Sequence, residues 1–152
     1  MMSGNPPPAR AIQHDLAFWS GETRLLFLMR VSDILELKQD KHREAVEKVK
    51  EEIFGQSWVA PLEPELQNKI VKDSAKKRQY DETLVRDLLR VIRNLSTHNY
   101  TLAPELRTIL GRGEDLSSYW VRKFPLLLPA IVRTMQEFAE DTNCRVIKHF
   151  YI

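Results

Sequence analysis

The chain has 152 residues, of which 43% are hydrophobic and 29% charged, and its formal net charge is +2. This length fits one globular domain and leaves no room for a second core of similar size. The single cysteine rules out an internal disulfide framework and fits a reducing compartment, so we expect a cytosolic or nuclear setting, and of the two a cytoplasmic protein. The net charge is too small to indicate nucleic-acid binding by itself.

The first residues are small, Pro-rich and without period. Pro6, Pro7 and Pro8 stand where a secretory signal needs an apolar run, and no later apolar run is long enough to cross a bilayer. We therefore expect a disordered leader or linker over residues 1–13, one folded domain over residues 14–152, and no membrane partner.

Two helices are predicted in the first third of the folded domain. The first runs from Phe18 to about Lys38 with Ser20 as N-cap, and its inward positions recur at three and four residues: Leu25, Leu28, Met29, Ser32 and Leu35. The second lies between a cap at Asp40 and a stop at Gly55 and carries a narrow apolar stripe: Val46, Val49 and Ile53.

The middle of the chain alternates between helical and polar segments. Pro64 opens a short helix with an apolar side made of Leu66, Ile70 and Val71. Residues 73–82 are polar and basic and predict an exposed loop that delivers Tyr80 to the next helix. That helix spans Thr83–Asn94 and has a broad apolar face opposite three arginines: Arg86, Arg90 and Arg93.

The last third predicts three shorter helices. One runs from Pro104 to a stop at Gly111, and a second spans Leu116–Lys123 with Asp115 as its cap. No segment shows sustained strand alternation, so the predicted fold class is all-α, a compact bundle of about six to eight helices.

Pro129 conflicts with the last of these helices, which is predicted from Pro125 to about Phe138. Four residues inside a helix, a proline removes a backbone hydrogen bond and is expected to kink the chain at a cost of ~3 kcal/mol or more. The packing of this segment is therefore left open by the sequence.

Common metal and nucleotide motifs are missing. The sequence has no Gly-rich phosphate loop and no carboxylate cluster suited to two magnesium ions. One cysteine cannot build a thiolate site, and the histidines follow no ligand spacing: His14, His42, His98 and His149. We predict no metal and no cofactor.

Polar groups with complementary chemistry gather at the end of the Thr83–Asn94 helix. Arg93 offers a planar fork for phosphate, Asn94 adds a neutral donor, and His98 carries an imidazole suited to proton transfer. RNA can be cut without a metal because its own 2′-hydroxyl attacks phosphorus, so such groups suffice if a second proton carrier is present. Tyr80, whose phenol is a better base beside a cation, is the candidate.

The same residues also have structural interpretations. An arginine stripe is usually a solvated helix face, Tyr80 can be an aromatic at the core edge, and His98 can hold only a structural hydrogen bond. The basic residues Lys76, Lys77, Arg78, Arg86 and Arg90 are candidates for contact with RNA phosphates or simply part of a solvated surface.

Several ordered motifs resemble the kinase-extension nuclease (KEN) domain, the ribonuclease domain of ribonuclease L and of the unfolded-protein-response sensor kinase. These motifs are FWS at Phe18–Ser20, VSD at Val31–Asp33, Tyr80, VRDLLRVIRN at Val85–Asn94, His98, and YW..KFP at Tyr119–Pro125. Together they extend over most of the chain. The resemblance implies the all-helical KEN fold.

The resemblance also implies the roles of four residues. Tyr80 acts as general base on the 2′-hydroxyl, His98 as general acid on the leaving 5′-oxygen, and Arg93 with Asn94 holds the scissile phosphate. The products are a 2′,3′-cyclic phosphate and a 5′-hydroxyl. The implied substrate is single-stranded or looped RNA, cut by a monomer or by the back-to-back homodimer of the family.

The chain departs from the family pattern because nothing like a kinase precedes Phe18. We therefore expect no ATP or regulatory oligoadenylate site within it, and either a standalone nuclease or part of a longer chain. The alternative to an endoribonuclease is a catalytically silent helical module for RNA binding or protein interaction. The complete set of Tyr80, Arg93, Asn94 and His98 favours the enzyme.

Overall fold

Helices make up all the regular secondary structure described by the computed structural model, which covers residues 16–76 and 79–151. Its eight α-helices are α1 (Gly21–Leu35), α2 (Asp40–Glu47), α3 (Lys50–Ile53), α4 (Pro64–Lys76), α5 (Val85–Thr97), α6 (Pro104–Leu110), α7 (Glu114–Lys123) and α8 (Leu127–Met135). Segments of 3₁₀ helix cover Leu16–Phe18, Asn99–Thr101, Gln136–Phe138 and Thr142–Tyr151. This confirms the all-α prediction. The predicted leader, the domain start at residue 14, Lys77 and Arg78 lie outside the described residues.

The helix α1 lies at the centre of the domain. It packs against α5, α7 and the C-terminal 3₁₀ segment. Ser20 caps it as predicted, since its Oγ accepts the backbone N–H of Thr23 at 3.1 Å. The predicted inward stripe describes only part of its buried surface, because Phe27, Val31 and Ile34 are also buried. Neighbours on several sides explain this wider burial.

Two of the sequence motifs contribute buried aromatic residues to the hydrophobic core. Trp19 of the FWS motif packs against the rings of Phe27 and Phe150, with ring centroids 5.6 and 5.4 Å away. Tyr119 of the YW..KFP motif is buried, and its hydroxyl donates a hydrogen bond to the Glu63 carboxylate. Burial, together with this carboxylate, raises the pKa of Tyr119 well above its ordinary value. The phenol therefore stays neutral and ties α7 to the segment before α4.

Several predicted helix boundaries are wrong, three of them around α2, α3 and α7. The helix expected between Asp40 and Gly55 is split into α2 and α3 at Val49, whose φ of −100° and ψ of 12° are not helical. Asp40 is the first residue of α2 and not its cap. Asp115 likewise lies inside the first turn of α7. Its negative charge there interacts favourably with the helix dipole, but its side chain does not cap the helix.

The helix α4 is longer than predicted. Residues 73–76, expected in a loop, continue the helix, and an ion pair one turn apart supports this extension, with Lys69 Nζ 3.2 Å from an Asp73 oxygen. Leu66 and Ile70 are buried as expected, but Val71 is 64% exposed. Val71 follows Ile70 by 100° around the axis, which turns it away from the core.

None of the helices formed by residues 16–76 and 79–151 combines the length and the apolar character that crossing a bilayer requires.

Pro129 fits its helix without conflict. The helix α8 begins at Leu127, two residues later than predicted, which makes Pro129 its third residue. Backbone N–H groups in a first turn have no acceptor within the helix, so a proline there sacrifices no helical hydrogen bond. The first such bond runs from the N–H of Ala130 to the Leu126 carbonyl at 3.0 Å. The predicted kink is therefore wrong.

We expect Pro129→Ala to lower the free energy of unfolding by at most about 1 kcal/mol, chiefly through a more flexible unfolded chain. The neighbouring Ala130→Pro variant removes a donor in use and is expected to cost ~3 kcal/mol or more. Urea denaturation of both variants measures the difference. A large loss with Pro129→Ala would contradict the first-turn position.

Candidate active site

A distant carboxylate caps the start of α5. Glu47, at the end of α2, accepts the backbone N–H groups of Val85 and Arg86 at 2.8 and 3.0 Å. Burial raises the pKa of Glu47, although the two donors pull in the opposite direction. No local signal marks this cap, because it joins residues 38 positions apart. It replaces the side-chain cap that the residue before Val85 does not supply.

The rotation of α5 is set by its apolar face. Seven of its residues are buried, and all but Asp87 are apolar: Val85, Leu88, Leu89, Val91, Ile92 and Leu95. Because this face packs against the core, Arg93 and Asn94 lie at the margin of the face and are half-buried. His98 directly follows the last residue of α5 and is exposed. The polar end of α5 is thus presented at the surface.

Tyr80 is held from three sides. Its backbone N–H donates to Ser74 Oγ at 3.1 Å. The Arg90 guanidinium lies over its ring, 4.5 Å from the centroid, and the Trp58 ring meets it edge-on at 6.3 Å. The phenol therefore has a defined direction relative to α5.

A buried carboxylate supports the segment that carries Tyr80. Asp87, which is 7% exposed, accepts the backbone N–H of Asp81 at 2.7 Å and pairs with Arg90 at 3.3 Å. Arg90 in turn donates to the carbonyl of Gln79 at 2.8 Å. Sequence reasoning missed Asp87, because an acidic residue in a first helical turn ordinarily serves only the helix dipole.

We expect Asp87→Ala to lower the free energy of unfolding by about 1–3 kcal/mol, because it leaves the Asp81 N–H without its acceptor. Asp87→Asn retains an acceptor oxygen and is expected to lose less. Chemical denaturation of the two variants measures this order. Equal stability of Asp87→Ala and the wild type would show that the segment is held by other contacts.

The Asn94 side chain connects two of the predicted site residues. Its Nδ2 donates to the Tyr80 hydroxyl at 2.8 Å, and its Oδ1 lies 3.5 Å from Arg93 Nη2, a long contact. The amide is therefore oriented, with one hydrogen on Nδ2 left for another acceptor. Tyr80, Arg93 and Asn94 come together although Tyr80 is 14 positions from Asn94 in sequence.

Arg93 has a second partner that the sequence did not indicate. Its Nη1 lies 3.3 Å from Oδ1 of Asp33, the acidic residue of the VSD motif on α1. Asp33 also pairs with Arg30 at 3.6 Å. The VSD motif thus bears on the candidate site through this ion pair, which links α1 to the end of α5 and constrains the guanidinium.

A cleft of about 650 Å³ lies beside this end of α5. Its lining is Lys69, Asp73, Lys76, Asn94, Leu95, His98, Thr101 and Leu102. Asn94 and His98 therefore share one concave surface with two lysines of α4, one of which is already paired with Asp73. Tyr80 and Arg93 are not part of this lining and are connected to it by Asn94.

The five predicted RNA-contacting residues have different surroundings. Lys76 lines the cleft, whereas Arg90 is engaged with the Tyr80 ring and Asp87. Arg86 borders a separate groove with Glu44 and Glu47 of α2, about 12 Å along the helix axis from Asn94. Lys77 and Arg78 are outside the described residues. Lys69 is the lining lysine that sequence reasoning missed.

A family model and several known proteins match most of this chain. The model of the family described as ribonuclease 2-5A matches residues 24–150. The serine/threonine-protein kinase/endoribonuclease IRE1 of Oryza sativa subsp. japonica is 34% identical over 137 residues, which cover 89% of this chain and 15% of that protein. The human kinase/endoribonuclease IRE2 is 33% identical over 148 residues, covering 93% and 16%.

A third relative is the sensor for unfolded proteins in the ER, ire1, of Schizosaccharomyces pombe. It is 33% identical over 131 residues, which cover 83% of this chain and 12% of that protein. The chain thus spans less than a fifth of the length of these curated relatives.

The described residues thus form an all-helical fold with a polar, lysine-lined cleft at the end of α5. With the family match over residues 24–150, the chain belongs to the ribonuclease 2-5A family. The resemblance to the KEN domain is thereby confirmed.

Proposed function

We propose that this chain is an endoribonuclease domain that cleaves single-stranded or looped RNA without a metal. The observation that supports it most directly is the Asn94 amide, which contacts the Tyr80 hydroxyl, approaches Arg93, and shares a cleft with His98. The names of the rice and human relatives include endoribonuclease, which favours this activity for a chain of the same family.

The proposed reaction is a transesterification within the RNA. The 2′-oxygen forms a bond to phosphorus and gives its proton to Tyr80, which reacts as the phenolate and becomes the neutral phenol. The bond from phosphorus to the 5′-oxygen breaks, and His98 delivers a proton to that leaving oxygen. The products are a 2′,3′-cyclic phosphate and a 5′-hydroxyl.

Charge stabilisation in this proposal comes from Arg93 and Asn94. The guanidinium binds non-bridging phosphate oxygens, and the second Nδ2 hydrogen of Asn94 donates to one of them. To bind in this way, the phosphate competes with Asp33, whose ion pair with Arg93 is half-exposed and therefore weak. Lys69 and Lys76 add positive charge beside the cleft for the RNA backbone.

The proposed setting is the cytoplasm, and the proposed assembly is a homodimer of the kind that the family resemblance implies. The free, buried Cys144 supports a reducing compartment. Sedimentation velocity over a range of concentrations tests the dimer, and subcellular fractionation tests the location.

The proposal predicts cleavage in excess EDTA of a labelled stem-loop RNA but not of the same RNA with 2′-deoxy sugars at the cleaved positions. The reason is that the 2′-hydroxyl is the nucleophile and no metal is needed for its attack. Mass spectrometry of the fragments is expected to find 2′,3′-cyclic phosphate and 5′-hydroxyl ends.

Cleavage of the 2′-deoxy RNA, or 5′-phosphate ends, would contradict this mechanism. RNA binding without cleavage would instead favour the silent-module interpretation. Circular dichroism in the same EDTA buffer separates a loss of chemistry from a loss of fold.

A further inference from the structure

A second group of reactive side chains lies apart from the cleft. His42 from the first turn of α2 meets Asp141 and Cys144 near the start of the C-terminal 3₁₀ segment. His42 is 0% exposed, Cys144 is also buried, and Asp141 is half-buried and opens the group to solvent. None of the three lines the cleft that holds Asn94 and His98.

The buried imidazole is poorly satisfied by its neighbours. Its Nδ1 has no hydrogen-bond partner among the described residues. Its Nε2 lies 3.4 Å from Asp141 Oδ2, which is long for an N–H···O bond, and 3.5 Å from Cys144 Sγ, which is within hydrogen-bond distance for the larger sulfur atom. Within the described part of the chain, Nδ1 of His42 therefore lacks the partner that a buried polar atom normally has, and Nε2 faces both Asp141 and Cys144.

The same distances suit three atoms that share a metal ion. For tetrahedral zinc, with Zn–N about 2.05 Å, Zn–O about 2.1 Å and Zn–S about 2.3 Å, the ligands stand about 3.4 Å apart for N and O and about 3.6 Å for N and S. The His42 distances of 3.4 and 3.5 Å are close to these values. All three ligand atoms lie within 4.8 Å of one another.

We propose that His42, Asp141 and Cys144 form a zinc site that ties α2 to the C-terminal segment. Imidazole, carboxylate and thiolate are all ligands that Zn²⁺ accepts, and water on the open side at Asp141 supplies the fourth. The Cys144 thiol gives up its proton to solvent when it ligates the metal. The site is separate from the proposed RNA chemistry.

Lys41 competes with a metal for this site. Its ammonium lies 2.8 Å from Asp141 Oδ2, and the Lys41 side chain is 57% exposed. Without a metal, the Lys41 ammonium neutralises the charge of the Asp141 carboxylate. Because its side chain is exposed, Lys41 can move into solvent when Zn²⁺ binds. Removing the ammonium therefore favours metal binding.

The sequence predicted no such site, because its histidines follow no ligand spacing and it has one cysteine. That reasoning applies to motifs that are local in sequence. Here His42 is 99 positions from Asp141 and 102 from Cys144. Only the packing of the chain end against α2 brings them together.

Titration of the chelator-stripped chain with Co²⁺, a spectroscopic substitute for Zn²⁺, tests the proposal. We expect a thiolate-to-cobalt charge-transfer band that saturates at one equivalent and disappears when Zn²⁺ is added. Cys144→Ser is expected to abolish the band, whereas His149→Gln, which removes an exposed histidine of the same segment, retains it.

Lys41→Ala gives a test that does not depend on a core substitution. We expect it to tighten Co²⁺ binding about two- to fivefold, the range expected for an exposed ion pair. No band in the wild-type chain, a band that survives in Cys144→Ser, or no tightening in Lys41→Ala would overturn the site. If Cys144→Ser fails to fold by circular dichroism, the wild type and Lys41→Ala still decide.

Discussion

His98→Ala is expected to lower the rate of RNA cleavage by about 10²- to 10⁴-fold, the usual contribution of a general acid. The 5′-oxygen then leaves without a proton, which makes it a poor leaving group. His98 is exposed and follows the last residue of α5, so its truncation leaves no cavity and the fold should persist. Single-turnover cleavage in EDTA, alongside thermal unfolding, measures both quantities.

The matched control for this variant is His149→Ala. His149 is also exposed but lies on the C-terminal segment and does not line the cleft. Its removal should leave cleavage unchanged. Wild-type activity in His98→Ala would remove the imidazole from the mechanism and leave Tyr80 without its acid partner.

The second large loss of cleavage rate is expected for Tyr80→Phe, which tests Tyr80 as the general base. The substitution deletes the phenol oxygen but retains the ring between Arg90 and Trp58. We expect cleavage to fall by about 10²- to 10⁴-fold, because nothing then accepts the 2′-hydroxyl proton. The Asn94 amide also loses its acceptor, so stability is expected to fall by about 1 kcal/mol.

Tyr100→Phe is the control for the lost hydroxyl. Tyr100 is 76% exposed and is not among the residues that line the Asn94 cleft. Binding of a 2′-deoxy RNA, measured by fluorescence anisotropy, should be similar for the wild type and Tyr80→Phe. Equal cleavage rates for Tyr80→Phe and Tyr100→Phe would leave the base unassigned, and weaker binding alone would make Tyr80 a contact residue.

Much of the helical architecture could be predicted because its signals are local. Ser20 caps α1, and Pro104 and Gly111 mark the limits of α6, as the sequence indicated. The apolar face of α5 was also predicted, since residues three and four apart share one side of a helix. The predicted site residues at the end of α5 followed from that pattern and from the family resemblance.

Boundaries were predicted less well because packing overrides local preference. The predicted loop at residues 73–76 is helical, and the helix expected around Val49 is broken. Pro129 shows how a shift of two residues reverses an energetic conclusion, because a proline that would break a helix interior is harmless in the first turn.

Local sequence patterns were enough to predict that the chain is helical, that the apolar face of α5 points into the core, and which residues are candidates for chemistry, because these properties repeat along short stretches of chain. Three other features became visible only in the folded chain: the Glu47 cap on α5, the Asp33 partner of Arg93, and the proximity of His42 to Asp141 and Cys144. Such contacts join residues 38 to 102 positions apart, and no local period encodes them. They arise only when burial of the apolar faces brings distant helices together.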